Sequence, residues 1–247
     1  MLVAIGWFGA PRHRASATGD GEPIGLFTTL PILWAEAGDI GALIDPQQAP
    51  HWARAELARR GPITALDTLA GPGGAKPGGA QPGGSGSPLS ALHRLVVAQP
   101  RPLSGAENVA LDAWVRGGGR LLLIADPALT EDSAFPIGDP RRPQVTVLLS
   151  PILARWGLEL QFDQTQRFGP VVMRAMGVAV PTNLAGRFVR RGASHCRLWA
   201  AGLAATCAIG QGQVTALADA AVLERDDPAG TRQQALSQLL DRALAAR

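Results

Sequence analysis

The chain has 247 residues, 46% of them hydrophobic, with a formal net charge of +3 and a sequence pI near 9.6. That length and apolar content allow one large domain or two small ones with a true core, and they exclude a wholly disordered chain. The positive excess is arginine, since Lys76 is the sole lysine. The basic runs (Arg12-His13-Arg14, Arg141-Arg142, Arg190-Arg191) are short and scattered and tyrosine is absent, so neither a basic face nor a stacking platform for nucleic acid emerges.

Residues 1–10, MLVAIGWFGA, are apolar but too few to cross a bilayer, which takes about 20 residues. Three readings stay open for residues 1–23. One is a signal peptide, against which the missing basic n-region and Arg12-His13-Arg14 argue; the second is the tail of a membrane anchor that starts upstream; the third is a flexible N-terminus. A single domain is expected over 24–247. Residues 24–27 read as its first strand and 28–31 as a turn, while Trp34 in the following segment is expected in the core, with a place lining a ligand pocket as the alternative. Residues 50–60 form a short helix burying Trp52, Ala53 and Leu57, opened by Pro50 and stopped by Gly61-Pro62. A second strand follows over 63–69. Residues 70–88, a loose Pro-Gly-Gly repeat, carry no side chain able to offset their ordering entropy, and read as a disordered loop. A phosphate cradle is excluded there because no Gly-Lys-Ser/Thr opens a helix.

The clearest unit covers residues 92–127. An apolar run, Leu95-Val96-Val97-Ala98, reads as a strand buried on both faces. Ser104 stands three residues before Glu107 in capping-box spacing. Ala106, Val109, Ala110, Ala113 and Trp114 then mark one face of a helix that Gly117-Gly118-Gly119 ends. Residues 120–125 are a second buried strand, stopped by Asp126-Pro127. Strand, crossover helix and strand of this length imply a parallel, right-handed unit.

The polar, proline-rich stretch 126–143 follows that strand, at the edge where open α/β sheets bind ligands. Its carboxylates could supply oxygen ligands to a divalent cation, but no histidine joins them and the spacing matches no metal motif. Aspartates capping turns, with arginines pairing to them, are the plainer account. An apolar helix is expected over 145–156, with Pro151 marking either a kink or a start at Ser150. A strand follows over 158–163, and short strands separated by Gly, Pro and Asn fill 164–219. The late Gly210-x-Gly212 precedes a strand instead of opening a helix, so it is no dinucleotide fingerprint. Cys196 and Cys207 lie in segments read as neighbouring strands; a disulfide and two buried thiols are both open. His195 would point away from Cys196 on a strand, which argues against a cysteine nucleophile. An amphipathic helix over 231–246 closes the chain.

Over Trp114, Gly117-Gly118-Gly119, the strand 120–125 and Asp126-Pro127, and again from Gly210-x-Gly212-x-Val214 to Asp219, the chain resembles one family group. These are the auxiliary, non-ATPase components of ABC-type transport systems typified by gliding-motility proteins, with related domains of unknown function. Such domains are similar in fold to class I glutamine amidotransferases. The resemblance implies a flavodoxin-like, doubly wound, mainly parallel sheet, with extra short strands in the C-terminal third. Where enzymes of that superfamily can carry a cysteine nucleophile, this chain has Asp126-Pro127. The resemblance therefore implies a noncatalytic accessory or scaffolding domain of an export or surface-assembly system. It implies no cofactor, ABC permease and ATPase subunits as partners, and a membrane-associated position on the periplasmic face, with the cytoplasm as the alternative. The expected binding residues are Asp126, Asp139, Arg141, Arg142 and Asp219. The rival reading is a hydrolase or carbohydrate-binding protein built from Asp126, Asp139, Arg141 and Asp219. It requires those side chains to converge, with a buried carboxylate of displaced pKa.

Overall fold

The computed structural model describes residues 21–36, 50–71 and 86–245. The expected N-terminal segment up to residue 20 and the bulk of the Gly/Pro loop, 72–85, lie outside the described residues. In chain order the elements are β1 (Ile24–Thr28), α1 (Trp52–Ala58), β2 (Ile63–Ala65), β3 (Arg94–Ala98), α2 (Gly105–Arg116), β4 (Arg120–Ile124), α3 (Ser150–Arg155), β5 (Leu158–Gln161), β6 (Val171–Ala175), β7 (Val178–Thr182), β8 (Arg187–Arg190), β9 (Cys196–Trp199), β10 (Ala204–Ile209), β11 (Gly212–Leu217) and α4 (Thr231–Leu244).

Among the described residues seven strands form one sheet in the order β2-β1-β3-β4-β11-β10-β9, so the fold is mixed α/β with a mostly parallel central sheet. The first five are mutually parallel, with Val96 and Thr215 flanking Leu122 in register, and β10 runs antiparallel to both its neighbours. The sheet is open among the described residues, ending at β2 on one side and β9 on the other. From β1 the chain steps outward to β2 and then back past β1 to β3, so the strand order reverses between β1 and β3. Two-stranded antiparallel ribbons, β5–β8 and β6–β7, stand apart from it.

Both faces of the sheet are covered, which explains why β3 and β4 are continuous apolar runs instead of alternating ones. On one face α1, α4 and the β6–β7 ribbon pack on Leu26, Val96, Leu122 and Leu217. On the other, α2, α3 and the residues around Leu69, Leu89 and Leu92 pack on Leu95, Val97, Leu121 and Leu123. The capping box forms: Glu107 N donates to Ser104 Oγ at 3.2 Å, and Ser104 N donates to Glu107 Oε2 at 2.9 Å. Arg101, the backbone N of Leu69 and the cap together hold the Glu107 carboxyl down at about 2. Asp112 ties α2 to α3 by accepting from Trp156 Nε1 at 3.0 Å and from Arg155.

The Gly210-x-Gly212 sequence is a packing device. A Cβ on Gly212 would lie 1.9 Å from the carbonyl oxygen of Val115 and 2.5 Å from that of Gly119. Only a bare backbone lets the β10–β11 turn meet the C-terminal end of α2, where Gln211 N donates to Arg116 O at 2.9 Å.

Several expectations are corrected. The helix expected over 145–156 is the single turn and a half of α3, beginning at Ser150 with Pro151 in its first turn. The five residues before it are irregular, and Val145 and Leu148 are 51% and 59% exposed. Pro151 has no N–H to continue a helix begun upstream. The second strand is only three residues long. Trp34 is not a core residue: it is 40% exposed, and no strand forms around it. In α1, Glu56 is buried beside Ala53 and Leu57 because Arg59 and Arg60 pair with its carboxylate.

Candidate functional site

Adjacent parallel strands in register end at one level, so β1, β3, β4 and β11 place Thr29, Gln99, Asp126 and Asp219 along one rim. Ile124 pairs with Leu217, and each aspartate follows two residues later. Both are fully buried. Asp126 accepts from Ala128 N at 2.7 Å through Oδ1 and from Ala220 N at 3.0 Å through Oδ2. Asp219 accepts from Ala221 N at 2.6 Å and from Asn183 N at 2.8 Å. Asp126 thus braces the loop after β11, and Asp219 draws the end of the β6–β7 ribbon onto it. Burial raises Asp126 to about 6 against the pull of these amides. Burial, and then the proximity of Asp126, raise Asp219 to about 8.

Gln99 completes the row. Its backbone has φ 41°, a left-handed conformation uncommon outside glycine. The side chain holds it there: Asp126 N donates to Oε1 at 2.9 Å, and Nε2 donates to Asp126 O at 3.0 Å and Gln144 O at 2.7 Å. Gln144 N in turn donates to Thr29 Oγ1 at 3.1 Å, which pins the loop following β4 over the crevice between β1 and β3.

Further acids tether that loop. Glu36 accepts from Ser133 Oγ and Ala134 N, both at 2.8 Å. Glu131 accepts from Arg225 N at 2.9 Å and is raised to about 7, first by burial and then by its acidic neighbours Glu224 and Glu36. Glu224 pairs with Arg232 and accepts from Thr130 Oγ1 at 2.8 Å. His51 caps α1 by accepting from Ala53 N at 3.1 Å, while its Nε2 donates to Leu223 O at 2.9 Å. Burial lowers it to about 4, which keeps the ring neutral and suits that one-donor, one-acceptor geometry.

The expected site residues therefore divide. Asp126 and Asp219 come together in the interior of the rim. Asp139, Arg141 and Arg142 do not join them: Arg141 forms a two-pronged pair with Asp139 at the exposed tip of the loop, and Arg142 donates to Phe135 O. The tip lies outside the rim because Phe135 is its anchor. Its ring is 5.8 Å from that of Trp34 and 4.2 Å from the Arg141 guanidinium. An exposed indole beside a buried phenyl and a cation is the accessible feature here; the carboxylates behind it have every oxygen taken by a backbone amide. Among the described residues no cluster of three or more His, Cys, Asp or Glu side chains is arranged to hold a metal ion.

Cys196 and Cys207 face one another across β9–β10 and are joined by a disulfide. Gln99, His51 and Glu224 were not singled out by sequence reasoning, and Glu131 only as one of the charges in the stretch 126–143. For Gln99 a signal existed: like Asp126, it is a polar residue ending a buried strand just before proline.

Fold and rim thus define an α/β protein with an open, mostly parallel sheet, its strand-end carboxylates enclosed beneath a loop. No family model and no curated protein matches the sequence. Among solved structures the chain is similar to the exo-β-1,4-mannosidase Op5Man5 from Opitutaceae bacterium strain TAV5, at 17% identity and TM-score 0.48, over 92% of this chain and 36% of that one. It is similar to Gan42B, a GH42 β-galactosidase from G. stearothermophilus, at 12% identity and TM-score 0.47, over 92% and 30%. A β-galactosidase of the haloarchaeon Halorubrum lacusprofundi gives 18% and 0.47, over 94% and 32%. The chain spans about a third of the length of these proteins. They are glycoside hydrolases and not glutamine amidotransferase-like components of ABC transport systems, which corrects the resemblance drawn from residues 114–127 and 210–219 and the transport role it implied. The residues that carried it have a local reason to exist: Gly119 makes room for Trp114, Gly212 for Val115, and Asp126 and Asp219 hold loops.

Proposed function

We propose that the chain is a carbohydrate-binding α/β module whose ligand lies on the strand-end surface formed by Trp34, Phe135, Arg141 and Asp139. The observation that carries this reading is the exposed Trp34 ring packed on Phe135, whose ring also carries the Arg141 guanidinium. The C–H faces of a pyranose pack on an indole ring, and the paired Arg141 and Asp139 across Phe135 present charged groups to the hydroxyls. The order β2-β1-β3-β4-β11 supports a flavodoxin-like, doubly wound arrangement, and in such sheets ligands lie at the reversal of strand order, here next to Thr29 and Gln99. The disulfide favours an oxidising compartment.

The test is titration calorimetry with β-1,4-mannotriose and with lactose, a mannoside and a galactoside. Saturable binding by the parent chain, lost in Trp34→Ala and weakened in Arg141→Ala, is the expected result. Binding unchanged in Trp34→Ala refutes it. Hydrolysis is a second reading that rests on Asp126 and Asp219 alone, raised to about 6 and about 8 on adjacent strand ends; Asp139 and Arg141 do not converge with them, and a substrate has to displace the covering loop to reach the buried pair. It predicts release of reducing sugar that stops in Asp126→Asn and Asp219→Asn, whereas a binding module leaves the sugars intact.

A further inference from the structure

We propose that the cleft between the β6–β7 ribbon and α4 is a docking groove for a short, extended, acidic segment of a partner protein. This groove is separate from the strand-end surface. The ribbon turns at Met176-Gly177, both with positive φ (53° and 77°), a two-residue turn that keeps its strands in tight register. Strand alternation sends Ala175, Val178 and Val180 into the core and leaves Val172, Arg174, Ala179 and Pro181 on the outer face. That face and the flank of α4 carrying Gln234 and Gln238 enclose about 350 Å³.

Three features select the occupant. The groove is lined by small and apolar groups around Val172, which is 66% exposed, with Phe168 just ahead of the ribbon 74% exposed. Its charge is positive. Arg174 lines it, and Arg242 stands at its turn end, 3.6 Å from where a Gly177 side chain would begin. Neither arginine has an ion pair among the described residues, and the acids near α4 are already engaged: Asp241 by Arg60, Glu224 by Arg232, and Asp227 by the amides of Arg232 and Gln233. From Thr231 to Gln238 the groove runs about 10 Å along the helix, the length of about three extended residues. An apolar side chain flanked by carboxylates fits the small floor, the two glutamine amides and two guanidinium groups that have no carboxylate partner among the described residues, Arg242 donating only to Gln238 O at 3.1 Å.

The test uses the full chain and two labelled peptides, acetyl-Glu-Leu-Glu-Leu-Glu-amide and its lysine counterpart, followed by fluorescence anisotropy. The acidic peptide binds with a Kd below about 1 mM, weakens as salt rises, and the lysine peptide does not bind. Reversal of both charges, Arg174→Glu with Arg242→Glu, lowers affinity at least about tenfold, equivalent to about 1.4 kcal/mol. Ala179→Phe, which fills the groove without changing charge, abolishes binding; all three positions are exposed, and circular dichroism checks that the variants fold. Equal binding of the two peptides, no binding of the acidic one at about 1 mM, or undiminished affinity in the folded variants overturns the proposal. So does a dimer in sedimentation that Ala179→Phe dissociates, since the groove would then belong to a second copy.

Discussion

Replacing Asp219 by asparagine should change how stability depends on pH more than it changes stability itself. Burial and Asp126 lift the Asp219 carboxyl from 3.8 to about 8, so the folded chain keeps a proton that the unfolded chain has released. A carboxyl raised in this way favours folding at low pH and loses that advantage as pH climbs through its folded value; each unit costs up to about 1.4 kcal/mol. The informative window is pH 6.5 to 8. In the folded chain His51, lowered from 6.5 to about 4, is neutral throughout, and loss of the unfolded imidazole's proton adds only about 0.4 kcal/mol across the window; Asp126, raised to about 6, is largely ionised in both states. Across that window Asp219 should remove about 1.5 to 2 kcal/mol of stability, and Glu131, raised to about 7, less than about 1 kcal/mol. The asparagine turns one accepting oxygen into an N–H₂ group facing Ala221 N or Asn183 N, which costs about 1 to 3 kcal/mol at every pH. Urea unfolding followed by tryptophan fluorescence at half-unit steps gives both curves. A lower but flatter curve is expected for Asp219→Asn. Parallel curves, or a parent chain that gains stability between pH 6.5 and 8, would refute the reasoning.

Three other outcomes follow from packing and bonding. Gly212→Ala forces a methyl group onto the Val115 carbonyl and should cost at least about 2 kcal/mol, read as a lower urea midpoint with little change in the denaturant slope. Gln99→Ala strands Asp126 N and Gln144 O and leaves a left-handed backbone without its restraint; a loss of about 2 to 4 kcal/mol, with faster amide exchange across the loop after β4, is expected. Denatured without reductant, the chain should show no titratable thiol, and reduction should lower stability by about 2 to 3 kcal/mol; two reactive thiols per chain before reduction would contradict this.

What the sequence determined by itself is the succession of β3, α2 and β4 and the parallel pairing of its strands. Its determinants lie close together in the chain: an apolar run too long for a half-exposed strand, a serine three residues from a glutamate, and glycines where helix meets strand. Asp126 and Asp219 were legible as strand-end residues for the same reason. Tertiary structure decided the rest of the rim. Residues 126–149 have no repeating apolar pattern, so their course is set by contacts from distant parts of the chain: Glu36 to Ser133, Gln99 to Gln144, and Trp34 to Phe135. Those contacts enclose the two aspartates, carry Asp139 and Arg141 away from them, and leave Trp34 exposed where a buried tryptophan was expected. A side chain's partner across tens of residues depends on where both backbones arrive, and no local spacing encodes that arrival.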